Sequence, residues 1–291
     1  MKIRIGSRDS RLAVMQSEMV IDAIRAYDPT AEVELVTMKT TGDLILDRPL
    51  SQIGGKGLFV KELDRALLEG RVDFTVHSSK DLPMDIPQEL PLVAFSHRAD
   101  PRDALVLPQG VETLDPTRPI GCASLRRTLQ LRKLFPHHQV APVRGNVQTR
   151  LAKLDRGEYS ALVLACAGLD RLGLENRISR RFPVEEMLPA AGQGILAVQS
   201  RADVDTSCLS GFHDPVAAVC LTAERAFVGA LEGGCSSPVA AHATVDGDTV
   251  TLTGFYVDRE GESYIETSCA ACADAREMGA ELAVRMRRDH P

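Results

Sequence analysis

Strand-like and helix-like segments alternate through the first two thirds of the chain, and the alternation runs through twice. "KIRIG" has the pattern of a buried strand, and Ser10 to Ala26 places Leu12, Met15, Met19 and Ala23 on one helical face. "VELVTM" is a second strand, and "LFVKELDRALLEG" is an amphipathic helix stopping at Gly70, a C′ glycine. "DFTVHS" and "LPLVAFS" are short buried strands. After the polar, turn-rich stretch "SHRADPRDA" (96–104), the pattern restarts. Its members are "PIGCAS", a helix from Leu125 to Phe135, "QVAPV", a helix from Val147 to Arg156, and "SALVLA". Strands separated by helices build mainly parallel sheets, since parallel neighbours need crossover connections. The sequence therefore predicts an α/β protein of two similar lobes. "IRIGSRDSRLAVMQ" and "RPIGCASLRRTLQL" echo one another, each passing from a strand through a Ser- and Arg-bearing turn into a helix. Free backbone N–H groups at such helix starts are suited to anions.

"LPAAGQGILAVQS" (188–200) reads as a return crossing into a further strand of the first lobe. From about residue 217 the pattern changes to a long helix ending at Leu231, a cysteine-bearing loop, three alternating strands (239–245, 249–257, 262–269) and a last helix. That is a small C-terminal α+β domain. A chain of 291 residues exceeds one ordinary core. The expected division is 1–96 with 193–213, then 101–189, then 216–291.

Hydrophobic residues at 44% and charged residues at 25% fit a soluble globular protein, and a net charge of −6 argues against a nucleic-acid binder. No stretch approaches the roughly 18 apolar residues of a membrane span, and "MKIRIGSRDS" lacks the apolar run of a signal peptide. Seven scattered cysteines, an odd number, do not make a disulfide framework, so a reduced, cytoplasmic protein is expected.

The cations are skewed, with 27 arginines against 7 lysines. A GC-rich genome would give this, and so would a ligand rich in carboxylates, which guanidinium forks grip with paired hydrogen bonds. Position separates the two. Arg8, Lys56, Lys80, Arg126, Arg127, Arg144 and Arg150 sit on loops and helix starts. Arg126 and Arg127 open a helix, where the macrodipole disfavours cations unless an anion joins them. "VHSSKDLP" (76–83) ends a buried strand with Lys80 and Asp81 side by side, and ligands of open α/β sheets bind beyond carboxyl strand ends. His77 reads as a packed strand residue. "GGKGLFVKE" lacks the phosphate-loop pattern, and its glycines fit a lid over residues 42–58 that carries Lys56. "CAAC" (269–272) has no partner pair for zinc, so Cys269 and Cys272 read as structural and no metal site is expected. The thiol of Cys235, in "ALEGGCSSPVA", stands on a bare loop as an accident or a point of attachment.

Together these stretches resemble the porphobilinogen deaminase (hydroxymethylbilane synthase) family. The resemblance is carried by "TTGD…GGKGLFVKELD", "VHSSKDLP", "DPRDALV", "SLRRTLQL", "RGNVQTRLAKLDRGEY", "AGLDRLGL", "LPAAGQG" and "LEGGCSSP", in the family's order from Arg4 to about Pro238. It implies a monomeric transferase that condenses four porphobilinogen molecules into 1-hydroxymethylbilane and releases four ammonia. It also implies a dipyrromethane cofactor joined by a thioether to Cys235, and two lobes like those of periplasmic binding proteins. By the same resemblance Asp81 is catalytic, stabilising the cationic azafulvene left when ammonia departs and helping to move protons. Arg8, Ser10, Lys56, Phe59, Lys80, Ser124, Arg126, Arg127, Arg144 and Arg150 match positions that hold cofactor and substrate. Every ring of the growing chain brings two carboxylates, and burying them uncompensated is prohibitive. One opposite charge at ~4 Å is worth about 4 kcal/mol at an effective dielectric near 20. Cys122 and Ala123 stand where the family often has Thr-Ser, and Gln52 where a basic residue is common. A non-catalytic anion-binding protein would leave Cys235 unexplained. A cysteine hydrolase would want a His–Asp pair beside it.

Overall fold

The computed structural model describes residues 2–44, 60–233 and 237–291. In the first sheet the strand order is β2-β1-β3-β10-β4. Its members are β1 (Lys2–Arg8), β2 (Glu32–Met38), β3 (Phe74–Ser78), β4 (Leu92–Phe95) and β10 (Leu196–Ser200). β1 pairs in parallel with β2 and β3, while β10 runs antiparallel between β3 and β4. Helix α1 (Arg11–Tyr27) lays Val20, Ile21 and Ile24 on Ile3, Ile5, Phe74 and Val76. Each fully buried side chain of this kind contributes about 1.5–3 kcal/mol. A four-residue helix, α2 (Thr41–Leu44), follows β2. Helix α3 (Lys61–Leu68) is capped as expected, with Gly70 in the left-handed region at φ 64°.

The second sheet repeats the plan in the order β7-β6-β8-β5-β9. It comprises β5 (Asp103–Val106), β6 (Ile120–Cys122), β7 (Val140–Pro142), β8 (Ala161–Ala165) and β9 (Arg180–Arg181). β6 is parallel to β7 and β8, and β5 is antiparallel to β8 and β9. In both sheets the first strand lies between the second and third, and a strand arriving from the other lobe inserts antiparallel. The internal echo in the sequence is thus an echo in topology. Strand β8 is buried on both faces, Leu162 and Leu164 towards α5 (Val147–Asp155) and Val163 towards α4 (Leu125–Leu134). Two-sided burial explains its unbroken apolar run. Helix α6 (Cys166–Arg171) follows directly. The turn-rich crossing expected over 96–104 ends two residues sooner, because β5 begins at Asp103.

The C-terminal part has an antiparallel sheet β11-β12-β13 (Ala240–Asp246, Thr249–Val257, Ser263–Ala271) covered by α7 (Pro215–Ala230) and α8 (Ala275–Asp289). Phe227, Leu252, Leu282 and Met286 form its core. Asp214 caps α7 by accepting from Val216 N and Ala217 N, and Pro215 fills the first helical position. The two helices meet at Gly279, where an added Cβ would overlap the carbonyl oxygen of Ala223. Gly279→Ala is expected to destabilise the protein by about 1–3 kcal/mol, read as a lowered denaturation midpoint. An unchanged midpoint would refute that close approach.

Candidate active site

The carboxyl ends of parallel strands in both sheets bring Lys80, Arg126, Arg127, Arg144 and Arg150 into one cluster of interacting charges with Asp81. On the first lobe, β1 ends at Arg8 and neighbours β3, which runs into a 3-10 turn, Ser79–Asp81, carrying Lys80 and Asp81. Ser10 caps α1, its hydroxyl accepting from Ala13 N at 3.3 Å. On the second lobe, β6 leads to Ser124, Arg126 and Arg127, and β7 leads to Arg144 and Arg150. Ser124 is the N-cap of α4, yet its side chain makes no capping bond.

Arg126 and Arg127 are buried, at 2% and 6% exposure, and the anion they require is supplied from inside the protein. Asp103, fully buried at the start of β5, accepts from Arg126 Nη1 at 2.8 Å through Oδ2 and from Arg127 Nη2 at 2.6 Å through Oδ1. Arg126 also donates to the Leu188 carbonyl (2.6 Å), and Arg127 to that of Val163 (3.2 Å). Burial alone would raise the Asp103 carboxyl. The two guanidiniums nonetheless hold it well below the usual carboxylate range. Gln193 joins the cluster from the return crossing, donating to Asp103 Oδ1 (2.8 Å) and to the Pro101 carbonyl (2.6 Å). Its Oε1 accepts from Lys80 Nζ at 3.3 Å and from Arg127 Nη2 at 3.4 Å. Composition and spacing gave no role to Asp103 or Gln193. Their signals were an aspartate opening the apolar run "DALVL" and a glutamine between two glycines.

The charges of the two lobes interact. Burial, with repulsion from Arg127 and Arg126, pushes the Lys80 ammonium down to about 8 against the support of Asp81 and Asp103. Burial and the charges of Arg127 and Arg144 bring Arg150 down to about 10, and Asp81 opposes this. Arg150 Nε donates to the Gly145 carbonyl at 2.8 Å, which fixes its stem at the start of α5. Arg8 is near enough to His77 to lower it, but burial is the main cause that brings this imidazole down to about 4. His77 is 6% exposed and bonded to Thr75 Oγ1 at 2.9 Å, so it is a packed, neutral strand residue as read from sequence. Cys122 is turned into the second lobe, its sulfur 3.2 Å from Thr128 Oγ1. Lys56, Phe59, Gln52 and Cys235, with most of the anticipated lid, lie outside the described residues.

The segment before Cys235 is well defined. Helix α7 ends in a Schellman motif, with Gly233 N bonded to Val228 O (2.9 Å) and Glu232 N to Gly229 O (3.0 Å). Glu232 occupies the left-handed C′ position at φ 55°, a conformation costing a non-glycine residue about 1–3 kcal/mol.

A family model described as porphobilinogen deaminase, dipyromethane cofactor binding domain, matches residues 3–208, and the model of its C-terminal domain matches 218–288. The chain belongs to the porphobilinogen deaminase family. Relatives bearing that name include those of Acetivibrio thermocellus, 58% identical over 98% of each chain, and Alkaliphilus oremlandii, 59% identical over 99% of this chain and 97% of the relative. That of Burkholderia thailandensis is 46% identical over 98% of this chain and 89% of the relative. Among solved structures, the periplasmic aliphatic sulphonate binding protein of Escherichia coli is 11% identical over 79% of this chain and 70% of that one, with a TM-score of 0.42. As a member of this family the protein is a transferase of tetrapyrrole biosynthesis, its substrate is porphobilinogen and its cofactor is dipyrromethane. Dipyrromethane bears two carboxylates on each ring, and the described cleft suits such a group. Lys80, Arg127, Arg144 and Arg150 outnumber Asp81 and Asp103, and the buried Nε atoms of Arg126 and Arg127 have no hydrogen-bond partner among the described residues. Among those residues, no three His, Cys, Asp or Glu side chains gather to hold a metal, and no helix is long and apolar enough to cross a membrane.

Proposed function

We propose that Asp81 is the catalytic carboxylate of the condensation of four porphobilinogen molecules into 1-hydroxymethylbilane, and that Cys235 holds the dipyrromethane as a thioether. The observation that carries this reading is the meeting of Asp81, at the end of β3, with the charges of Lys80, Arg127 and Arg150. When bound, the cofactor supplies a nucleophilic pyrrole carbon as the primer. The chain's own residues do the rest. Asp81 faces the charge that develops as ammonia leaves the substrate's aminomethyl group, and it accepts the proton lost when the new carbon–carbon bond has formed. Arg8, Ser10, Lys56, Lys80, Ser124, Arg144 and Arg150 bind the acetate and propionate groups. Arg126 and Arg127 add positive charge from beneath, and Phe59 packs on the rings.

The lobes are residues 1–96 with 193–213, and 101–189. Residues 216–291 form the domain that presents Cys235 to the cleft. The protein acts as a cytoplasmic monomer without nucleic acid.

Purified protein given porphobilinogen should release four ammonia for each hydroxymethylbilane, and recovery of unaltered monomer would overturn the reading. The pH dependence follows from Lys80. Its depressed pKa leaves the ammonium present below about pH 8 and lost above it, so KM for porphobilinogen should rise as the pH passes about 8. A KM that stays flat to pH 9.5 would remove Lys80 from substrate binding.

A further inference from the structure

The two segments that cross between the lobes meet at one buried polar group. The outward crossing delivers Asp103, at 0% exposure, and the return crossing delivers Gln193, at 1%. Asp103 spends one oxygen on each of two adjacent arginines of α4, so neither guanidinium can rotate without losing a charged hydrogen bond. The two hydrogens of Gln193 are committed to Asp103 Oδ1 and the Pro101 carbonyl. That commitment turns its Oε1 towards Lys80 of the first lobe and Arg127 of the second. The amide thus spans the lobes and meets cations from both. On its other side Gly192 N donates to the buried Glu224 carboxylate at 2.6 Å, tying the same crossing to helix α7.

We propose that Asp103, acting through Gln193, is the positioning residue that holds Lys80 and Arg127 in a single rigid unit, and so sets where the substrate's carboxylates rest relative to Asp81. The proposal rests on the reading of the cleft given above and extends it to two residues that meet no substrate. Among the described residues, the groups facing Lys80 include Asp81 on its own turn, Arg126 and Arg127 from α4, Asp103 from β5, and Gln193 from the return crossing. Removing either the Asp103 charge or the Gln193 carbonyl withdraws support from the ammonium.

The test uses the full chain carrying its cofactor, as wild type, Asp103→Asn, Gln193→Met and Asp81→Ala. Three readouts are followed: intact mass, kcat and KM for porphobilinogen against pH, and the pH dependence of Lys80 acetylation by acetic anhydride, read by peptide mass spectrometry. Gln193→Met should fold and keep the cofactor mass, raise KM at least tenfold with a smaller change in kcat, and move both the KM rise and the Lys80 labelling midpoint to lower pH. Asp103→Asn should move them in the same direction. If that variant fails to fold, Gln193→Met alone decides. Folded variants with wild-type KM and an unmoved labelling midpoint would overturn the proposal, as would a loss confined to thermal stability. An inactive Asp81→Ala beside a wild-type-like Gln193→Met would reject the positioning role alone. An active Asp81→Ala would reject the underlying reading of the cleft.

Discussion

Asp81→Ala should yield a folded protein that still carries its dipyrromethane but turns over at least about a thousand-fold more slowly. Asp81 ends a short 3-10 turn at the carboxyl end of β3, and it belongs to none of the main buried clusters of the two lobes and the C-terminal sheet. Its removal should therefore cost little stability. The reaction, however, passes through positive charge in a cleft already crowded with Lys80, Arg127 and Arg150. Proton transfer by a positioned group is worth roughly 10²–10⁴ in rate, and electrostatic stabilisation a similar range, so the proposed double role of Asp81 makes a severe loss the expected result. Asp81→Glu, which keeps the charge but moves it by one methylene, should recover part of the rate. Steady-state assay of porphobilinogen consumption, with intact mass as the control for loading, decides the matter. Turnover within tenfold of wild type would remove Asp81 from the chemistry.

The second large effect concerns stability. Glu224 on α7 is fully buried and accepts from Arg98 Nη2 at 2.7 Å, Gly192 N at 2.6 Å and Ala243 N at 2.7 Å. Arg98 also reaches His242 Nδ1 at 2.9 Å. One carboxylate thus gathers the outward crossing, the return crossing and the C-terminal sheet. Arg98→Ala would leave the buried Glu224 side chain with two backbone donors and His242 Nδ1 at 3.9 Å, and stranding one partner of a buried ion pair costs about 3–5 kcal/mol. Urea denaturation should show a loss of that order. Arg98→Met combined with Glu224→Gln should lose less than Arg98→Ala, because no charge is stranded. A loss under about 1 kcal/mol in Arg98→Ala would mean that the pair does not hold the three parts together.

The fold was largely legible because periodicity marks elements well. Helices α1, α4 and α5, the strand β8 and the change of pattern after 217 fall within a residue or two of their expected places. Strand direction was less accessible. Nothing local in "LAVQS" or "DALV" says that β10 and β5 insert antiparallel, since that follows from which lobe the chain has just left. The cations of the cleft were visible as residue types at helix starts. Their internal partner was not, because Asp103 is 23 residues from Arg126 and Gln193 is 90 from Asp103, and only the tertiary fold brings such separations to hydrogen-bond distance. Arg126 and Arg127 at a helix start called for an anion, read from sequence as a ligand's, and the structure places the protein's own Asp103 there.

Intact mass of the denatured protein, followed by mapping of the peptide that contains Cys235, decides whether a pyrrole primer is anchored to that sulfur. The expected mass exceeds that of the bare chain by a dipyrromethane, located on Cys235 and absent from Cys235→Ala. A bare chain whose Cys235 thiol alkylates freely, and which gains no pyrrole on incubation with porphobilinogen, would contradict that anchoring.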